Sequence, residues 1–558
     1  MSSSTPVFND RDALWQTLQD GDREWDLVIV GGGIIGAGVL REAARRGLKA
    51  LLVEQQDYAW GTSSRSSKMV HGGLRYISQG HIGLTRDSLR ERERLLREAP
   101  GLIERMGYYF TLRNGQFPGR LPFGILLTLY DWLAGIKNHR FFSKGELQEQ
   151  FAGIGGEGLN GAMYYTDTVT DDARLVLRVL QDAVRAGGRA LNYVRAGSLL
   201  KTDGRVTGVV LENTESGEQV ELHCKSVINA TGAWADRLRN EVNPEKRIRP
   251  LRGSHLVVPR AKLPVEDALT LFHPVDKRPV FIFPWEGTTV IGTTDLDHRE
   301  DLDEEPVISE EEMDYLLEAA HALFPTNPVS RDDIVSTWSG VRPVIASDKG
   351  RDPSKERRDH AVWSDNGLVT VTGGKLTTFR LIALDALNAA AAAFGSLAPV
   401  ELDDSVFISP QITEDDLPTS DKAWARRLIG RYGEHAKRLL EEAPEAERQP
   451  VADTPFCLAE CRWAARNESV VHLDDLLLRR TRLGALLEQG AQSLFPQLEE
   501  ICARELQWSK QQWQAELARY REVWSNHYYL PIRGGVPDKP PWIITTATSW
   551  RSTTARKV

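Results

Sequence analysis

Gly31, Gly33 and Gly36 stand at the spacing of a phosphate-cradling turn, and their flanks make that turn usable. Residues 26–30 (Asp-Leu-Val-Ile-Val) read as a buried strand, residues 37–46 continue with helical spacing, and residues 50–53 are a second apolar run ending at Glu54. Gly31 permits the tight turn, Gly33 lets the backbone approach a pyrophosphate, and Gly36 allows close helix–strand packing. The pyrophosphate would lie on a helix N-terminus, where unpaired N–H groups and the dipole favour an anion. Glu54, 23 residues after Gly31, is placed to accept a hydrogen bond from an adenosine ribose hydroxyl. Glycines alone would serve any turn. In the order strand, glycines, helix, strand and acid they point to a dinucleotide, without separating FAD from NAD.

The next segment bears on that choice. Residues 61–76 (GTSSRSSKMVHGGLRY) are dense in hydroxyls and glycines. Thr62, Ser63, Ser67 and Lys68 offer hydrogen bonds to phosphate or ribityl oxygens. Gly72 and Gly73 let the backbone approach a flat ring, and Met69, His71 and Leu74 are expected to border it. A plain surface loop would leave Met69, Val70 and Leu74 exposed without reason.

These residues need a large scaffold. The chain has 558 residues, enough for three or four units at roughly 150 residues each. With 41% hydrophobic and 26% charged residues, a sizeable core is available and global disorder is excluded. The 69 basic and 78 acidic residues give a net charge of −9, which is not the footprint of a nucleic-acid binder. Cys224, Cys457, Cys461 and Cys502 are too sparse for a disulfide framework and show no metal-site spacing, so no metal is expected and a reducing cytoplasm fits. The polar N-terminus does not read as a signal or transit peptide. The uncharged runs at 121–130 and 386–400 fall short of the ~20 apolar residues a membrane-spanning helix needs.

Along the chain, helices are expected at 84–99, with its Arg/Glu pairs reading as a solvated face, and at 173–186. Strands are expected at 226–230, 280–284, 289–293 and 368–372, the middle ones within an antiparallel insertion spanning about 249–344. A long helix is expected over 376–393, an acidic, proline-punctuated linker near 403–418, and only helices from 420 to 525.

Taken together, these motifs resemble the FAD-dependent (respiratory or aerobic) glycerol-3-phosphate dehydrogenase family. The resemblance rests on the glycine fingerprint, Thr62-Ser63-Ser64-x-Ser66-Ser67-Lys68 and His71-Gly72-Gly73-Leu74-Arg75-Tyr76. It continues through Asp171–Val176, Asn229-Ala230-Thr231-Gly232, Gly253-Ser254-His255, Ile291–Asp295, Ser339–Pro343 and Gly373–Thr378. Asp474-Asp475-Leu476 and Arg479–Arg482 resemble its C-terminal domain, so the likeness spans about residues 25–524.

The resemblance implies an α/β fold: a Rossmann-like FAD-binding domain, an inserted mixed β-sheet substrate (cap) domain and an all-α C-terminal domain. It divides the chain into an N-terminal extension (1–24), FAD-binding parts at 25–110, 166–235 and 345–402, a connecting segment (111–165) and the cap (236–344). A linker (403–419), the helical domain (420–530) and a tail (531–558) follow. The implied reaction oxidises sn-glycerol 3-phosphate to dihydroxyacetone phosphate by hydride transfer from C2 to flavin N5, with a quinone as the final acceptor.

For a dianionic phosphate, Arg and Lys form strong charge-assisted bonds, and the resemblance nominates Arg75, Arg342, Arg358 and Lys375, with Tyr76 adding a hydroxyl. Arg358 is placed with a one-residue ambiguity among its charged neighbours. His255 is the expected base, because an imidazole titrates near neutrality. Arg342 stays protonated and is expected to stabilise the developing alkoxide. Thr231, Gly232, Gly374, Lys375, Leu376 and Thr377 are further implied contacts to FAD, the last four at a helix start whose positive end would face the flavin.

The resemblance also implies peripheral attachment to the inner face of the cytoplasmic membrane, with residues 120–136 or Trp60 as lipid contacts. A homodimer through the helical domain is a further expectation. The residues before Trp25 and from Pro531 onward receive no role. Molecular oxygen as acceptor, as in related oxidases, and an amine-oxidising flavoprotein of the same fold remain the rival readings. The cluster of cations favours phosphate over the carboxylate pocket the latter needs.

Overall fold

The computed structural model describes residues 7, 8, 10–21, 24–74, 77, 80, 82–346, 360–395 and 404–531. Two large sheets and a helical C-terminal region make up the described chain. The first sheet runs in the order His360–Asp365, Leu368–Gly373, Gln219–Asn229, Glu24–Val30, Ala50–Val53, Arg189–Leu191. Its centre is parallel: Val30 pairs with Val53 on one side and with Asn229 on the other. Residues 27–30 of strand Glu24–Val30 are buried without a break, which is why they read as a continuous apolar run rather than an alternating one.

Helices Ile34–Ala44, Asp172–Arg185 and Phe379–Ala390 share one core with this sheet, through Val39, Leu40, Leu177, Leu180, Ile382 and Leu387. Gly38 permits the close helix contact, because a Cβ there would come within 2.9 Å of the Phe379 ring. The stretch Leu376–Ala393 is long and apolar enough to cross a membrane by composition. Its apolar face is spent on this core. It begins as a 3-10 turn, Leu376–Thr378, and ends in another, Ala391–Ala393.

The second sheet has the order Leu296–Asp297, Ile248–Pro259, Thr288–Gly292, Pro279–Trp285, Ala268–Phe272, Ile103–Arg113, Leu159–Thr170, Arg140–Ser143. Strand Ser336–Ile345 is laid antiparallel on Ile248–Pro259. It is mixed, since Ala268–Phe272 runs parallel to Ile103–Arg113. The antiparallel insertion expected near 249–344 is therefore present, but the sheet recruits more of the chain. Strand Ile103–Arg113, placed by sequence mostly in the cofactor domain, forms a long ladder with Leu159–Thr170 and so belongs to the second sheet. Pairing between distant strands cannot be read from local periodicity.

Three further expectations change. Helix Ile82–Glu98 is not a solvated face: Glu91, Arg92 and Arg94 are buried. Arg380 forks onto Glu91 with two 3.0 Å bonds, and Arg92 meets Asp167 at 3.0 Å. The segment read as a linker is docked at its start, where Val406 and Phe407 are buried and donate their N–H groups to Glu98. The N-terminal extension forms helix Arg11–Gln19, which buries Leu14, Trp15 and Leu18 and ties Arg11 to Asn192 and Asn213.

The C-terminal region is helical as expected, with Lys422–Tyr432, Leu458–Asn467, Phe495–Glu505 and Lys510–His527 as its longest members. The cysteines are free thiols, three of them buried. The Arg-rich motif lies on a π-helical turn, Asp475–Arg480, whose cations reach into the first sheet's domain. Arg480 donates to both oxygens of Asp57 at 2.6 and 2.7 Å.

Candidate active site

One cavity of about 780 Å³ opens where the two sheets meet. The glycine turn forms one wall. Gly31 sits at φ +114°, and a Cβ there would lie 2.6 Å from the Ala230 oxygen. A Cβ on Gly36 would overlap the Gly31 carbonyl, so Gly36 shapes the turn from behind and does not line the cavity. Gly33 does line it, as the N-cap of helix Ile34–Ala44, and Ser63 Oγ accepts from Ile34 N at 3.0 Å. Glu54 accepts from Gly32 N at 2.7 Å and Gln56 N at 3.0 Å, and burial raises its pKa. An open backbone cradle, a helix N-terminus and an acid at the second strand's end together fit a dinucleotide.

Of the remaining residues expected to contact cofactor, Thr62, Ser63, Ser67, Met69, His71, Thr231, Gly232, Gly374, Lys375, Leu376 and Thr377 line the same cavity. Thr377 Oγ1 donates to His71 O at 3.1 Å, and Thr372 Oγ1 donates to Gly232 O at 3.0 Å, which binds the loops into one rim. Gly373 and Gly374 take φ +79° and +75°, values that disfavour any other residue.

Four expected contacts stand elsewhere. Gly72 packs against Leu89 and Tyr130 and gives its N–H to Asp167, while Gly73 and Leu74 do not line the cavity. The Lys68 side chain is turned away from the cavity. Its ammonium is fully buried, bonded to Ser64 O at 2.6 Å and to Asp172 at 2.9 Å, and burial pushes its pKa down to about 8 against the pull of that carboxylate. Trp60 is also no lipid contact, being buried against Trp234 and Arg65. Arg75, Tyr76 and Arg358 lie outside the described residues.

The second sheet supplies the opposite wall. Arg342 lines the cavity, and its guanidinium is aimed by Thr293 Oγ1 and Asp295 Oδ1, each at 3.1 Å. His255 stands one layer behind. Its Nε2 lies 2.9 Å from the Oγ of Ser67, a residue of the cavity lining, and its ring stacks on Trp338. Nδ1 has no hydrogen-bond partner among the described residues. Burial, followed by the charges of Arg342 and Lys68, holds the imidazole pKa well below 6.5, so the ring is neutral. A cation and a neutral base thus meet beside the dinucleotide cradle.

Sequence reasoning passed over Ser66, Phe281 and Thr293, which also line the cavity. Ser66 and Thr293 lay inside recognised motifs and lacked only an assigned role. Phe281 carried no signal, since it resembles any apolar strand residue.

Residues 26–380 match the family described as FAD dependent oxidoreductase, and residues 404–513 match the C-terminal domain of alpha-glycerophosphate oxidase. The aerobic glycerol-3-phosphate dehydrogenase of Staphylococcus haemolyticus (strain JCSC1435) is 33% identical over 497 residues, which cover 84% of this chain and 88% of that protein. The protein of the same name from Bacillus subtilis (strain 168) is 33% identical over 486 residues, 82% of this chain and 87% of its own. Among solved structures, the glycerol-3-phosphate dehydrogenase from Bacillus halodurans complexed with FAD matches with a TM-score of 0.73 at 27% identity, over 93% of this chain and 98% of that one. The L-alpha-glycerophosphate oxidase from Mycoplasma pneumoniae with FAD bound shares the fold, at 17% identity and a TM-score of 0.55, over 70% of this chain and 100% of its own. Relatives of this identity run along more than four-fifths of the sequence and the site retains the full dinucleotide cradle, so FAD is its cofactor and the chain belongs to the FAD-dependent glycerol-3-phosphate dehydrogenase family.

Proposed function

We propose that the chain oxidises sn-glycerol 3-phosphate to dihydroxyacetone phosphate and passes the electrons to a membrane quinone. The observation that carries this reading is the convergence of Arg342 and the Ser67–His255 pair on the wall facing the dinucleotide cradle. Bound FAD supplies acceptance of the C2 hydrogen with its two electrons. The chain's residues supply the rest. Gly31, Gly33 and the Ile34–Ala44 helix start hold the pyrophosphate. The Gly373–Thr377 turn offers backbone N–H groups and the positive end of a helix to the ring system.

In this reading the substrate's C2 hydroxyl is bound beside Ser67, with His255 behind it, and its proton leaves through Ser67 Oγ to His255 Nε2. A neutral imidazole is the form that can take it. Arg342 stays cationic and stabilises negative charge as it develops on the C2 oxygen. Lys375, at the cavity wall, binds the phosphate by charge, and the resemblance assigns Arg75, Tyr76 and Arg358 to the same anion.

Anaerobic titration of the purified protein with sn-glycerol 3-phosphate tests this reading. The oxidised-flavin absorbance is expected to bleach, and not with glycerol or an amino acid. A flavoprotein that keeps its colour would overturn the substrate assignment.

Quinone as acceptor, and peripheral attachment to the inner face of the cytoplasmic membrane, are supported by helix Arg120–Ala134. Leu121, Ile125 and Trp132 on this helix, with Phe117 just before it, are 67–81% exposed, while Phe123, Leu127 and Tyr130 anchor its other face. Arg120, Lys137 and Arg140 flank the apolar residues and suit anionic headgroups. We expect the wild type to co-sediment with phosphatidylglycerol vesicles. Ile125→Glu with Trp132→Ser should weaken that partition about tenfold or more, because burying each side chain is worth about 1.5–3 kcal/mol. Turnover with a soluble dye acceptor should not change. Equal sedimentation of both proteins would remove the helix from the membrane surface.

A further inference from the structure

Beneath the Ser66–Ser67 edge of the cavity lies a buried ionic cluster that none of the steps above uses. Asp172 begins helix Asp172–Arg185, and its Oδ2 accepts from Ser66 N at 2.9 Å and from Ser66 Oγ at 2.7 Å. Lys68 Nζ donates to both of its oxygens, at 2.9 and 3.1 Å. The third donor comes from far along the chain. Arg482, in the helical C-terminal region, places Nη2 2.5 Å from Asp172 Oδ1 and Nε 3.1 Å from Asp171 Oδ1, with Nη1 held by Leu478 O at 2.7 Å.

The turn that this cluster grips is strained. Lys68 takes φ +59°, a left-handed conformation that is unfavourable for a side-chain-bearing residue and persists only where its surroundings over-determine it. Its ammonium also sits over the Trp338 and Trp285 rings, at 4.6 and 5.1 Å, and Trp338 stacks on His255. One residue earlier, Ser67 makes the hydrogen bond to His255.

We propose that Arg482 is a positioning residue for the redox site, acting through Asp172 to set the Ser66–Lys68 turn and so the Ser67–His255 pair. On this view the helical domain completes the active site as well as packing against it. Without the guanidinium, Asp172 keeps one cation where it had two, and the strained turn loses part of what holds it. The charged groups around His255 are Arg342 on one side and Lys68 on the other, with Asp171, Asp172, Arg431 and Arg482 behind Lys68. Arg482 shares Asp172 with Lys68, a cation that bears on His255 directly, whereas Arg431 is bonded to Asp171.

The inference rests on the Ser67–His255 reading above, and the wild type separates the two. If substrate does not bleach the wild-type flavin, the functional reading has failed, and Arg482 is then judged from the visible spectrum of bound FAD alone. Arg482→Met, Arg482→Lys and Arg431→Met are compared as FAD-bound full-length proteins. Arg431 bonds Asp171 at 2.8 Å but not Asp172, and reports what the cluster does for stability alone.

Arg482→Met is expected to keep FAD with a shifted visible spectrum and to lose kcat about 10- to 100-fold with little change in KM, the size a small misplacement produces. The acid limb of its kcat/KM profile should move from its wild-type position. Arg482→Lys keeps the charge, so its limb should stay in place while kcat recovers only in part. Arg431→Met should lower the unfolding temperature and leave the limb and spectrum unmoved. Wild-type kcat, limb and spectrum in Arg482→Met would overturn the proposal, as would changes that merely track those of Arg431→Met. If Arg482→Met does not fold, Ser66→Ala removes a single hydroxyl bond to Asp172. A lowered kcat with an altered spectrum would then support the proposal, and wild-type behaviour would overturn it.

Discussion

Gly36→Ala is expected to purify largely without FAD and with a lowered unfolding temperature. The added methyl would overlap the Gly31 carbonyl oxygen, a backbone atom at the tightest point of the cradle, and Leu52 Cδ1 lies 3.4 Å away on the other side. Neither the helix nor the strand can give way alone, because Gly31 is already fixed by the 2.8 Å bond that its N–H donates to Val53 O. Overpacking of this kind costs about 1–3 kcal/mol or more in the protein itself. A distorted cradle then loses affinity about tenfold for each 1.4 kcal/mol, and the stability that bound FAD lends to the native state goes with it. Gly33→Ala is the comparison. Its Cβ would meet only the Ser63 hydroxyl, at 3.1 Å, so the apoprotein should fold normally and only FAD binding should weaken. Flavin-to-protein absorbance ratios and melting curves of the two variants check both statements. A Gly36→Ala protein with full flavin content would contradict them.

His255→Asn is expected to hold FAD normally and to lower kcat about 10²–10⁴-fold, the contribution of a positioned general base. The pH profile carries the sharper information. His255 serves as base only while neutral, and burial, then Arg342 and Lys68, hold its pKa well below 6.5. The wild-type kcat/KM should therefore stay level as pH falls through 6.5 and decline only below it, and this limb should vanish in His255→Asn. Stability follows the same sign. The unfolded chain takes up the His255 proton near 6.5 and the folded chain resists it, so stability present above that pH is lost as pH falls toward the folded pKa. A wild-type limb at or above 6.5 would contradict the assignment of His255.

The sequence by itself determined the dinucleotide cradle, because each of its requirements is local. A strand, three glycines, a helix start and an acid lie within one short stretch, and each residue type answers one steric or electrostatic demand. The same holds for Gly373 and Gly374, whose positive φ angles permit little else.

The tertiary structure decided the rest, for reasons of distance and burial. Lys68 read as a cofactor ligand because it stands among the hydroxyls of the loop. Its ammonium turns inward because Asp172 and Arg482 meet there, 104 and 414 positions away along the chain. The Arg/Glu pairs of helix Ile82–Glu98 read as a solvated face, and became buried because Arg380 and Asp167 arrive to pair with them. A charge cannot signal in sequence whether its partner is water or a distant residue. His255 was legible as an imidazole of the right kind, but its place behind Ser67 and its neutrality are set by Trp338, Arg342 and Lys68, which two separate segments bring together around one ring.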